Sequence, residues 1–315
     1  MRVAIIDDIH EAYAVTAGVR RLRERADVTI FTAPVDDPSK LSGFDAIVAN
    51  RERTRFTREF LTQLPDLRII AQTGNHAYHI DLRAAEELGI VVAKASGGYS
   101  RSAAELAIGL MIAVMRQIPT LDTAMRNGSW PTPITRSLRG KTLGIVGFGH
   151  VGRHVARIAL ACEMAVLAWG PRLTSERATE AGALACELDD LLARSDIVSI
   201  HATLSPESRG LLDARRLGLM KPSAYLINTA RGAIVDEWAL VDALASGRIA
   251  GAGLDVFDTE PLPEGHPLTK LPNVVLTPHI GWPTDDMYSQ FADAAADALI
   301  AYLDGLPFER FLADH

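Results

Sequence analysis

The sequence predicts an α/β protein built from two Rossmann-like, doubly wound parallel-sheet domains, and three observations carry that prediction. Short β-rich apolar runs alternate with amphipathic helical stretches along the 315-residue chain. One of these runs leads straight into a glycine-rich motif that opens a helix. Between two series of runs lies the segment 102–117, whose Ala, Leu, Ile and Met residues are apolar nearly all round, as in a helix buried against two neighbours.

Taken in order, the first series of strands is expected at 3–6, 28–31, 46–48, 68–71 and 91–93, with helices such as 12–25 and 80–88 between them. Segment 102–117 reads as a connecting helix, and 126–140, with Pro131, Pro133 and Gly140, as a surface loop. The second series is expected at 142–146, 165–169, 197–200, 224–228, 251–256 and 274–277, with helices at 151–161, 188–193 and 237–245. A last apolar-periodic segment, 287–303, has no strand after it and is free to cross back to the first module.

Composition narrows the function classes. Hydrophobic residues make up 48% of the chain, enough for a sizeable core, and two domains is the natural division of this length. A net charge of -7, with Lys and Arg interspersed among acids, predicts no nucleic-acid partner. The apolar run after Arg2 is closed by Asp7 and Asp8, too short for a signal core or a membrane span, so a cytoplasmic protein without a membrane partner is expected. The two cysteines, Cys162 and Cys186, have the spacing of neither a disulfide framework nor a metal site, and no metal is expected.

The run 142–146 enters Gly147-Phe148-Gly149-His150-Val151-Gly152. In a GxGxxG between strand and helix, the first glycine makes the tight turn, the second lets the backbone approach a pyrophosphate, and the third allows close helix-to-strand packing. The helix N-terminus adds N–H donors and partial positive charge. A carboxylate at the end of the next strand would select NAD through the ribose 2'-hydroxyl, but that strand ends Ala168-Trp169-Gly170-Pro171-Arg172. A 2'-phosphate would meet no repulsion at Gly170 and a cation at Arg172, which favours NADP(H). If Arg172 is only a solvated loop residue, NAD(H) or either nucleotide serves.

Three polar residues follow strands of the second module, where open parallel sheets bind ligands. Arg231 offers a planar fork suited to a carboxylate. His279 can take or return a hydroxyl proton. Glu260, placed against the other ring nitrogen, would fix the tautomer of that histidine. Singly these read more readily as a helix-capping arginine, a loop glutamate and a turn histidine.

Together with Asn228-Thr229-Ala230-Arg231-Gly232, Leu254-Asp255-Val256-Phe257 leading to Glu260-Pro261, and Thr277-Pro278-His279-Ile280-Gly281, the glycine motif resembles the D-isomer-specific 2-hydroxyacid dehydrogenases, a family that includes glyoxylate and hydroxypyruvate reductases. The resemblance covers nearly the whole chain. It implies hydride transfer between NAD(P) and a small 2-hydroxy or 2-oxo acid, with Arg231, Glu260 and His279 as substrate arginine, partner acid and acid/base. It implies that Asp255 receives the nicotinamide carboxamide, that Thr229, Ala230 and Gly281 lie along the ring, and that His201, Ala202, Thr203 and Ser208 back the cofactor. Gln72-Thr73-Gly74-Asn75 matches the loop that grips the substrate carboxylate, Ser102 and Glu105 match the start of the interdomain helix, and Arg51 is expected to face the substrate. It further implies a substrate domain of 1–97 plus 285–315, a nucleotide domain of 98–284, a cleft between them, and a homodimer formed through the nucleotide domain.

The sequence departs from the family at Thr203, where proline is usual, and in the loop running from Gly74 to Tyr78, so no particular substrate follows. Arg51, Arg53 and Arg55 read either as contacts for an anionic substrate tail or as a solvated basic rim, and Trp130 and Trp282 as pocket walls or as packing. A phosphoglycerate- or phosphite-type dehydrogenase of the same fold stays open, as does a dinucleotide-sensing, corepressor-like binding module.

Overall fold

The computed structural model describes residues 1–74, 77–95, 101–306 and 311–312. The chain divides into two compact units: Met1–Gly98 with Pro283–His315, and Tyr99–Trp282. Each is built on a parallel sheet.

In the first unit, strands β1 (Arg2–Ile5), β2 (Asp27–Ile30), β3 (Ala46–Ala49), β4 (Ile69–Thr73) and β5 (Val91–Ala95) form a five-stranded sheet in the order β2-β1-β3-β4-β5. β3 and β4 are buried along their whole length, which is why 46–48 and 69–71 read as apolar runs; the polar end of β4, Gln72 and Thr73, is buried too. The helix expected over 12–25 is shorter, Ala17–Arg23. The buried Asp8 carboxylate accepts hydrogen bonds from the N–H groups of Ala12 and Tyr13 at 2.9 and 3.0 Å, holding that stretch out of helical pairing until Thr16 caps the helix. The C-terminal helix Asp285–Leu303 lies against Ala17–Arg23, β4 and β5, and buries Phe291, Ala295 and Leu299.

The second unit holds β6 (Thr142–Val146), β7 (Ala165–Trp169), β8 (Leu184–Ala185), β9 (Ile197–Ile200), β10 (Tyr225–Asn228), β11 (Gly251–Leu254) and β12 (Val274–Leu276), ordered β12-β11-β10-β9-β6-β7-β8. The chain moves outward from β6 in one direction, then returns to β9 and moves outward in the other. That reversal between β6 and β9 is the place where an open α/β sheet binds ligands. Helix Arg101–Met115 packs on helix His150–Ala161 and on β10 and β11, burying Ala104, Ala107, Leu110 and Met111. A second helix, Ile118–Arg126, follows a left-handed Gln117 (φ 54°) where sequence periodicity gave no element, and none of its residues is buried. Residues 127–140 form the expected loop, with Trp130 and Ile134 in solvent.

The register of this sheet positions the candidate site. Val146 pairs with Trp169 and Ile200, Ile200 with Asn228, Asn228 with Leu254, and Leu254 with Leu276. The strands therefore end level, and the next residues, Gly170, Gly147, His201, Thr229, Asp255 and Thr277, stand in one row beyond the sheet. At the usual strand spacing the row is about 24 Å long.

Candidate active site

The glycine motif occupies the reversal point, and each glycine meets a different environment. Gly147 has φ +98°, and a Cβ there would collide with the backbone of His201 and Ala202. A Cβ on Gly152 would collide with the Gly147 carbonyl and come within 3.0 Å of Ile145. Around Gly149 there is nothing within 4 Å, so its backbone, the N-cap of helix His150–Ala161, is open to an approaching group. The first turn of that helix carries no acid. A pyrophosphate fits these three roles: tight turn, open approach, close packing.

Along the row, the N–H of Gly147 donates to the Trp169 carbonyl at 2.8 Å, tying the motif to the end of β7. Gly170 follows, with ordinary contact distances of 3.6 Å around its Cβ position, and Arg172 is exposed. His201 is partly exposed as a residue, but its ring reaches the fully buried Ser199, whose Oγ is 2.8 Å from Nε2. Burial pushes the His201 imidazole down to about 3, so the ring is neutral beside the nucleotide motif. Ser208 donates its hydroxyl proton to the Thr203 carbonyl at 2.8 Å and accepts from the Ser205 N–H at 2.7 Å. It locks the turn after Ala202 and Thr203, and that proton is committed within the turn.

Past β10, Asn228 closes the turn that carries Arg231. Its side chain accepts from the Ala230 N–H and donates to the Arg231 carbonyl, each at 3.0 Å. Thr229 Oγ1 is buried without a hydrogen-bond partner among the described residues, an orphaned polar atom of the kind a bound carboxamide would satisfy. Arg231 is exposed, donates to the Ala230 carbonyl at 2.7 Å, and has no acidic partner among the described residues. Gly232 lies directly on the backbone of Phe257 and Asp258, which leaves no room for a Cβ and fixes the Arg231 turn against the loop that carries Glu260.

Glu260 and His279 meet. Glu260 Oε1 accepts the Phe257 N–H at 2.9 Å, and Oε2 stands 2.6 Å from His279 Nδ1. A carboxylate at that distance requires the proton on Nδ1, leaving Nε2 as the free ring nitrogen. Both side chains are about one-third exposed, at 35% for His279 and 34% for Glu260. His279 has a left-handed backbone (φ 55°), sparsely populated for a non-glycine residue. Asp255 holds it there. Its carbonyl accepts the His279 N–H at 2.9 Å, and its fully buried carboxylate accepts from Thr277 Oγ1 (2.5 Å), Ile280 N–H (2.8 Å) and Gly281 N–H (2.9 Å).

In the other unit, Arg51, Thr73 and Gly74 come together. Arg51 (φ 61°) donates its N–H to Thr73 Oγ1 at 2.9 Å, and the Arg51 Nη1 lies against Gly74. Asn75 lies outside the described residues. Arg53 donates to the Asp7 carbonyl at 2.7 Å, a structural bond, while Arg55 is solvated. Sequence reasoning passed over the turn lock of Asn228 and the strap made by Asp255. The available signals were an asparagine ending an apolar strand and an acid inside one, since each requires local hydrogen bonds.

Residues 108–281 match the family model described as D-isomer specific 2-hydroxyacid dehydrogenase, NAD binding domain. The chain is 40% identical over 266 residues to a D-3-phosphoglycerate dehydrogenase of Archaeoglobus fulgidus, covering 84% of this chain and 50% of that one. It is 38% identical over 301 residues to a glyoxylate reductase of Thermofilum pendens, covering 91% and 88%. A solved phosphoglycerate oxidoreductase from Vibrio cholerae superimposes with a TM-score of 0.83 at 32% identity, over 97% of this chain and 99% of that one. The chain spans about half the length of the curated D-3-phosphoglycerate dehydrogenase sequences it matches.

Proposed function

The chain belongs to the D-isomer specific 2-hydroxyacid dehydrogenase family, and from that premise we propose that it interconverts a small 2-oxo acid and its D-2-hydroxy acid with a nicotinamide dinucleotide. The observation that carries the reading is the His279–Glu260 pair, with Nδ1 held by the carboxylate and Nε2 left open, on the same sheet edge as an arginine without an acidic partner among the described residues. When bound, the dinucleotide supplies the hydride. In reduction, the Arg231 guanidinium takes the substrate carboxylate in a bidentate pair and sets the orientation of C2. His279 gives its Nε2 proton to the 2-oxo oxygen, and in oxidation the same nitrogen takes the hydroxyl proton. Glu260 keeps the ring in register and offsets its positive charge. Asp255 acts mainly as the strap under His279, its fully buried carboxylate accepting bonds at both oxygens. Arg51, Thr73 and Gly74 make unit 1 the substrate domain, and unit 2 is the nucleotide domain.

The nucleotide is proposed to be NADP(H), because β7 ends at Gly170 without a carboxylate and Arg172 follows in solvent. A Cβ at Gly170 meets only ordinary contacts at 3.6 Å, and Gly170→Asp puts a negative charge opposite a 2'-phosphate. The preference for NADPH over NADH is then expected to fall about 10- to 100-fold. Competitive initial rates with both nucleotides measure it, and an unchanged ratio removes Gly170 from cofactor choice.

A homodimer is proposed on the family resemblance; the nucleotide domain offers exposed apolar side chains that a second copy would cover, Trp130 and Ile134 being 78% and 100% exposed and helix Ile118–Arg126 burying none of its residues. Sedimentation equilibrium decides it.

The names of the relatives favour a phosphorylated member of the same substrate class as a second reading. The deciding experiment is oxidation of NADPH and NADH with glyoxylate, hydroxypyruvate, pyruvate, phenylpyruvate and 3-phosphohydroxypyruvate. Turnover with any of them supports the reaction class. None, in protein that binds a nucleotide, moves the reading to a dinucleotide-sensing module.

A further inference from the structure

A second histidine–carboxylate pair joins the two ends of the loop that carries Glu260. Glu237, the first residue of helix Glu237–Ala245, is 15% exposed, and its two oxygens face opposite ends of the loop 258–266. Oε2 accepts the Asp258 N–H at 3.0 Å. Oε1 lies 3.3 Å from Nε2 of His266, whose side chain is 7% exposed. His266 Nδ1 accepts the Leu268 N–H at 3.4 Å, which leaves Nε2, the nitrogen within ion-pair distance of Glu237, to carry the ring proton. The ring is further covered by Trp238, with centroids 5.5 Å apart.

The loop clipped in this way is the one that carries Glu260. Its entry, Phe257–Asp258, is also where Gly232 of the Arg231 turn rests and where the Phe257 N–H holds Glu260 Oε1. One carboxylate on a helix end thus fixes both the start and the finish of the segment that presents Glu260 to His279. A glutamate facing only solvent at the start of a helix would need neither contact, since Asp236 already caps that helix through the Ala239 N–H.

We propose that Glu237 and His266 form a positioning pair that sets Glu260 against His279. Neither touches the reacting atoms. The effect of losing the pair follows from the 2.6 Å separation of Glu260 and His279: a loop displaced by about 1 Å breaks that contact and frees the ring, a misplacement that can cost about 100-fold in rate.

The proposal rests on the function assigned above to Glu260 and His279, so its test includes a readout that needs no turnover. The His279 Nδ1 proton, held by a carboxylate at 2.6 Å, gives a downfield proton NMR resonance, assigned by its absence in a His279→Asn variant. In Glu237→Ala that resonance is expected to broaden or disappear in nucleotide-free protein. The turnover number is expected to fall about 10- to 100-fold, with nucleotide Kd unchanged. His266→Gln, whose amide N–H can reach Glu237 in place of Nε2–H, is expected to keep the resonance and most of the turnover, whereas His266→Leu loses both. If Glu237→Ala fails to fold, the two His266 variants carry the comparison. Retention of the wild-type resonance in folded Glu237→Ala or His266→Leu overturns the proposal. So does equal loss in His266→Gln and His266→Leu, the pattern of a merely structural role. A wild-type protein that shows the resonance but turns over no 2-oxo acid leaves this pairing standing and removes the assigned function instead.

Discussion

Replacing His279 by asparagine is expected to lower turnover of a 2-oxo acid by about 1,000-fold, within the range for a positioned acid/base, while leaving nucleotide affinity within about threefold. Asparagine is chosen for two physical reasons. The backbone at 279 is left-handed, a conformation asparagine adopts more readily than most residues, so the Asp255 strap survives. Its side-chain amide can also take the place of Nδ1 and donate to Glu260, so that carboxylate keeps a partner. What it lacks is any group at the position of Nε2. The substitution therefore removes proton transfer and little else. Steady-state kinetics alongside fluorescence titration of the nucleotide measure the two quantities separately. A loss smaller than about tenfold would take proton transfer away from His279 and require another donor.

The parts of this molecule that could be read in the sequence are those where one local rule is sufficient. Buried parallel strands such as β3, β4 and β10 carry apolar residues on both faces over 46–48, 69–71 and 225–227, and stand out as runs for that reason. The glycine motif was legible because each of its positions answers a separate steric demand, and the surroundings of Gly147, Gly149 and Gly152 differ in that way. Where a side chain from elsewhere competes for the backbone, periodicity misleads. The apolar pattern from Ala12 is helical in the sequence, but Asp8 captures the N–H groups of Ala12 and Tyr13 first. Helix Ile118–Arg126 is not legible in the sequence because it buries none of its residues, so no core-facing stripe marks it, and Pro119 near its start reads equally as a loop residue. Two-residue β8 is too short to leave a pattern.

The candidate site shows the same division. The motifs pointed to Arg231, Glu260 and His279, but only the register of β10, β11 and β12 brings the ends of their strands level. Spacing in the sequence carries no such information, since it is set by the intervening helices. The family resemblance alone implies that Asp255 receives the nicotinamide carboxamide. Its burial and its bonds to Thr277, Ile280 and Gly281 make it first a structural element, bending the chain that presents His279. His201 likewise comes to the cofactor only through the family resemblance, whereas the neutrality of its ring comes from burial beside Ser199.

Arg231→Ala is expected to lower kcat/KM for the 2-oxo acid by about 1,000-fold, roughly 4 kcal/mol of transition-state stabilisation, with both kcat and KM affected. The magnitude follows from what the structure provides at this position. Asn228 fixes the turn through two hydrogen bonds, and Gly232 seats it on Phe257 and Asp258, so the guanidinium is delivered from a rigid base. It has no acidic partner among the described residues, so binding a carboxylate breaks no existing ion pair. A bidentate charged pair both binds the substrate and orients C2, and removing it therefore costs affinity and turnover together. Arg231→Lys separates these contributions. A lysine restores the charge without the planar fork, and is expected to recover part of the KM effect while kcat stays low. If Arg231→Ala changes KM alone, the arginine binds without orienting. If neither parameter changes, the substrate carboxylate is held elsewhere, and the backbone around Thr73 and Gly74 becomes the group to test.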